Sequence, residues 1–156
     1  MTSKAAPLLA MIKKQFYPFA ETRGFVRAKS ENPLFTTFHR TVGNQVQMFE
    51  IQWDKYWRPC FVVNFGGGSA SNEQINYEGR LQRRRGGSQL CWFGIRRPWL
   101  SKLLSGKWKY TPEEVVIELI AAFDEMETWW AEGTEGPHIK RWGSNKQCHA
   151  TTRDDA

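Results

Sequence analysis

The sequence predicts an α+β domain: an antiparallel sheet, a meander plus a hairpin, packed against an N-terminal and a C-terminal amphipathic helix. Three observations carry it. Apolar residues recur at three- and four-residue steps at both ends, they alternate with polar ones through the middle, and the last helix has a broad apolar face that needs a sheet to cover it. At 156 residues the chain has the length of one domain, and no linker divides it. Residues 1–135 are read as a single α+β domain and residues 136–156 as a polar C-terminal tail, with Ile139 and Trp142 as its anchors. The alternative architecture is a sheet curved around the C-terminal helix.

The first helix follows from Ala5, Leu8, Leu9, Ile12, Phe16 and Phe19, with Pro7 in the tolerated first turn. Pro18 is expected to kink or end it, with a stop near Thr22 and Gly24 beyond. Residues 34–40, 46–55 and 60–65 are rich in β-branched and aromatic residues and read as three meander strands. Gly43-Asn44 turns the first pair, and Pro59 separates the second from the third. Gly66-Gly67-Gly68-Ser69 is expected to leave the third strand for an exposed loop. Residues 77–84 and 89–95 flank Arg85-Gly86-Gly87-Ser88 and suggest a second hairpin. Residues 96–108 hold a short helix ending at Gly106 and packed by its leucines. Thr111, Pro112 and Glu114 form an N-cap, first helical position and capping box. That helix runs to about Glu132 on Val115, Val116, Leu119, Ile120, Phe123, Met126 and Trp130, and Gly133 stops it.

Charge is arranged in blocks. The net charge of +6 hides nine basic and no acidic residues over 80–109, followed by eight acidic and no Lys or Arg residues over 113–135. The blocks pair with one another in the fold, or they stand on separate faces and leave a cationic surface for a polyanion or an acidic protein. No apolar run is long enough to cross a membrane, and the stretch from Ala5 to Ile12 is too broken for a signal peptide. Three widely spaced cysteines, Cys60, Cys91 and Cys148, fit a reducing cytoplasm better than a disulfide framework.

Chemistry leaves few footholds. Three Cys and three His lack zinc-site spacing, so no metal and no cofactor is expected. Cys60 or Cys91 with His39 is the only cysteine–histidine combination on strands, and Glu50 and Asp54 on one strand lie about 13 Å apart, too far to share a bond. The glycine run lacks the ending of a phosphate loop. Two surfaces stand out instead. Trp53, Tyr56, Trp57 and Arg58 gather residue types found at protein-binding hot spots. Arg83, Arg84, Arg85, Arg96 and Arg97, with Trp92, Phe93 and Trp99 among them, combine phosphate-seeking cations with rings that stack on bases.

The segments Gly24-Phe25-Val26-Arg27, 35–40, 46–53 and Phe61-Val62-Val63-Asn64-Phe65-Gly66 resemble the bacterial family catalogued as domain of unknown function 4304, over roughly residues 8–130. The resemblance implies a small bacterial cytosolic domain of the kind met near toxin, immunity or defence systems, and it carries no functional residues across. The expected function is a non-enzymatic protein-interaction domain, immunity-like or defence-associated, whose protein partner could be a toxin. The alternative is a nucleic-acid-binding protein using residues 80–109.

Overall fold

The structure, a computed structural model, describes residues 3–72 and 74–142. The N-terminal helix runs as α1 (Ala6–Met11), a π-helical turn (Ile12–Phe16) and α2 (Tyr17–Thr22). Pro18 does not end it. Proline has no N–H to donate and its ring crowds the carbonyl four residues back; the widened turn just before it, where Tyr17 N–H reaches the Ile12 carbonyl, absorbs that mismatch.

Among the described residues the sheet has seven strands: β1 (Val26–Arg27), β2 (Phe35–Val42), β3 (Gln45–Trp53), β4 (Cys60–Ser69), β5 (Asn76–Leu81), β6 (Phe93–Gly94) and β7 (Ile139–Arg141). Their order is β1-β2-β3-β4-β5-β7, with β6 pairing β4, and every pairing is antiparallel. The expected meander is β2-β3-β4. Val42 faces Gln45 across a two-residue turn whose first residue, Gly43, takes φ +60°, a value glycine adopts at no steric cost.

Three local expectations give way. Gly66, Gly67 and Gly68 do not leave the strand but continue β4 opposite Met48, Gln47 and Val46. A Cβ on Gly66 would stand 1.9 Å from the Asn76 carbonyl oxygen, and one on Gly68 2.2 Å from that of Gln74, so the run permits close backbone approach rather than a loose turn. The second hairpin does not form either. Beyond Leu81 the buried Gln82 amide donates to the Arg84 and Gly86 carbonyls, and Ser88 caps a 3-10 turn at Gln89–Cys91, which rounds the segment into a loop. Its return strand, β6, pairs with the start of β4 through Cys60–Gly94 and Phe61–Phe93. The partner of β5 on its far side comes from the segment read as tail: Ile139, fully buried, and its neighbours form β7 against Gly79, Arg80 and Leu81. Residues 143–156 of that tail lie outside the described residues.

After the short helix α3 (Trp99–Ser105), the helix α4 (Pro112–Glu132) has the capping box read from the sequence, with Thr111 accepting from Glu114 N–H and Glu114 accepting from Thr111 N–H, and Gly133 at φ +71° closes it. Its apolar face and the N-terminal helix cover one face of the sheet. The centre is aromatic: Phe49 lies 5.8 Å from Phe16, 4.9 Å from Phe25 and Phe38 and 5.4 Å from Phe123, mostly edge-on. The opposite face carries two short polar chains. Glu50 accepts from Thr37 and Tyr77, and Arg80 donates to Asn64, which donates to Gln52.

Candidate functional site

The two charge blocks meet in part. Arg83 Nε lies 2.7 Å from Glu118, Arg85 3.3 Å from Glu135 and Arg97 3.5 Å from Glu114. Tyr110 is held between the guanidinium groups of Arg83 and Arg97, at 4.2 and 4.0 Å from its ring centre. Arg83 and Arg97 are therefore fold residues, nearly closed to solvent. Arg84 and Arg96 are exposed and enter no ion pair among the described residues.

The predicted protein-binding cluster divides in the same way. Trp53 is 2% exposed and packs on Phe61, and the half-buried Trp57 stacks on Trp53 at 6.3 Å. Tyr56 and Arg58 face solvent. The turn that carries them is organised by the buried Asp54 carboxylate, which accepts from Tyr56 N–H, from Arg58 Nε and Nη2, and from Gln89. The Arg58 guanidinium, foremost among these, holds the Asp54 carboxyl well below the usual carboxylate range against the opposing effect of burial. Trp57 sits at φ +55°, a rare conformation for a bulky residue that this network sustains.

What neither cluster anticipated is the groove between them. A cavity of about 880 Å³ opens at the start of β4 beside β6, with Lys4, Arg58, Arg83, Arg96, Lys102 and Lys109 in its wall and Trp92, Trp108, Leu90 and Ile95 among them. No Asp or Glu lines it among the described residues. Arg58 and Arg83 are committed to Asp54 and Glu118, and Lys102 lies 5.4 Å from the Trp108 ring. Lys4, Arg96 and Lys109 have no acidic partner among the described residues. Arg96 and Lys109 are moreover directly opposite one another in an isolated antiparallel bridge, where two like charges repel. The sequence signal for this pairing was faint: two cations thirteen positions apart flank a short helix, and only the tertiary bridge makes them neighbours.

That helix, α3 (Trp99–Ser105), springs from the bridge and ends at Gly106 in the left-handed conformation. It has no buried residue, so the leucines expected to pack it do not. Leu103 and Leu104 are 72% and 89% exposed, and Trp99, Leu100 and Trp108 also face solvent. The helix and its stop at Gly106 are where the sequence puts them, but α4 and the N-terminal helix already fill the covered face of the sheet.

Among the described residues, the cysteine and histidine of the meander strands are not brought together. Cys60 opens β4, whereas His39 pairs with Met48, which faces Gly66, six positions along the strand or roughly 20 Å away. Burial pushes the Cys60 thiol up to about 11, with the Asp54 charge adding to the effect, the reverse of what a nucleophile needs. Glu50 and Asp54 are each tied to other partners. No three His, Cys, Asp or Glu side chains come together as a metal site among the described residues, and no helix there is long and apolar enough to cross a membrane. Comparison with protein-family models, curated proteins and solved structures returns no match, so the likeness to the domain of unknown function 4304 rests on the strand segments alone.

Proposed function

We propose that this chain is a non-enzymatic protein-interaction domain whose groove grips an acidic segment of a protein partner. The observation that carries the reading is the Arg96–Lys109 pair: two cations opposite one another in a bridge, in a concave wall where no carboxylate pairs with them among the described residues. Like charges so placed cost stability in the free protein, and an anionic side chain seated between them offsets that cost. The partly apolar wall, with Leu90, Ile95, Trp92 and Trp108, suits a polypeptide whose carboxylates are spaced by apolar groups. An immunity-like role, which the family resemblance implies, would make the partner a toxin with an acidic face. The free thiols Cys60 and Cys91 agree with work in a reducing cytoplasm.

The second reading is a single-stranded nucleic acid, favoured by two indoles in the same cationic wall. Fluorescence anisotropy with a labelled Glu-rich peptide and a labelled oligonucleotide, each titrated at low and high salt, separates the two. The first reading expects salt-sensitive peptide binding that Arg96→Glu with Lys109→Glu abolishes. A tighter, salt-sensitive complex with the oligonucleotide would transfer the groove to the second reading, and binding of neither probe would remove both.

A further inference from the structure

Resting on the groove as a site for an acidic segment, we infer that the occupant is amphipathic: its carboxylates enter the groove and its aliphatic side covers α3. Charge alone does not account for this surface. α3 is a seven-residue helix with nothing buried, and helices of that length gain little from their own hydrogen bonds without packing. Trp99, Leu100, Leu103 and Leu104 fall within about 140° of its circumference, one stripe turned to solvent. A contiguous apolar stripe of this kind on a soluble surface marks a contact to be made. The stripe borders the groove through α3 itself: Lys102, an i,i+3 neighbour of Trp99 at the edge of the stripe, stands in the groove wall, and the Arg96–Lys109 bridge in that wall is the base from which α3 projects.

The occupant follows from complementarity. Leucines have no counterpart on a phosphodiester backbone, which argues against nucleic acid across both halves. A bilayer is flat and would meet α3 while leaving the concave groove empty. A second copy of the chain, packing α3 on α3, would cover the stripe but bring a like-charged groove wall towards this one and leave its cations without carboxylates. A helical segment with acids along one side and leucine-like residues along the other fills both, in the helix-in-groove manner.

The test uses the whole protein and three synthetic peptides of about twenty residues: one helical with Glu and Leu on opposite faces, one of the same composition with the faces mixed, and one of Glu and Gly alone. Anisotropy should show the amphipathic peptide binding about tenfold tighter than either control. Leu103→Ser with Leu104→Ser should erase that tenfold while leaving the Glu–Gly peptide unchanged; both positions are exposed, so the melting temperature should hold. Arg96→Glu with Lys109→Glu should weaken all three.

If the leucine variant binds the amphipathic peptide as the parent does, while the Glu–Gly peptide still binds, α3 is no part of the site and only the groove reading stands. Loss of salt-sensitive binding to every peptide overturns both. Preference for an oligonucleotide, retention on anionic vesicles in place of peptide, or a dimer that the leucine variant dissolves would each overturn the amphipathic segment in favour of that other occupant.

Discussion

Three consecutive arginines show how far environment separates identical side chains. Arg83 is nearly buried, bound to Glu118 and to the Gly94 carbonyl and stacked on Tyr110; Arg85 reaches Glu135 and the Ile139 carbonyl from the surface; Arg84 is exposed and makes no ion pair among the described residues. Arg83→Met is expected to cost about 2 kcal/mol by leaving the buried Gly94 carbonyl and the half-buried Glu118 carboxylate unpaired, and Arg84→Met to stay within about 0.5 kcal/mol, as read by urea denaturation. Asp54 supplies a pH signature at the same scale. Its folded-state pKa lies below its unfolded one, chiefly through Arg58, so its contribution is present above the unfolded value near pH ~4 and is lost as pH falls below it. Thermal melts should show the parent weakening on acidification through that window. Asp54→Asn should melt a few degrees lower at neutral pH and lose that part of the acid slope; an unchanged slope would contradict the assignment.

Among the elements, α4 is self-declaring: cap, proline, box and stop are local, and each appears where the sequence puts it. The glycine run, expected to leave the strand, continues it, because three glycines suit both a loose loop and a crowded strand, and the difference lies in what stands opposite. With Asn76 pressed against Gly66, Gly66→Ala should cost about 2 kcal/mol or more in denaturant unfolding, whereas a glycine in a loose loop would tolerate alanine. The strand β7 is the counterpart at the sheet edge. A chain ending after Gly136 removes the buried Ile139 and uncovers β5, so light scattering should report association through the freed edge as well as a lower melting temperature.

At the scale of the whole molecule, the proposed function makes stability and binding pull apart at the Arg96–Lys109 bridge. Lys109→Glu replaces a repulsion by an attraction and should raise the stability of the free protein by about 0.5 kcal/mol while weakening its hold on an acidic peptide, a trade-off characteristic of a working surface. A calorimetric scan and a binding titration on the same variant check both signs. The fold class, the meander and the two end helices were set by the sequence alone, since 3.6- and 2-residue periods, caps and turn residues are properties of neighbours along the chain. Arg96 and Arg97 were both visible as basic residues, yet one lines a groove and the other is buried beside Glu114. Only the tertiary structure decided which cations are consumed, that β7 rather than a second hairpin flanks β5, and that the α3 leucines stay uncovered. Periodicity says that a face must be covered and charge says that a partner is wanted, but which surface arrives first depends on contacts between residues far apart in the chain.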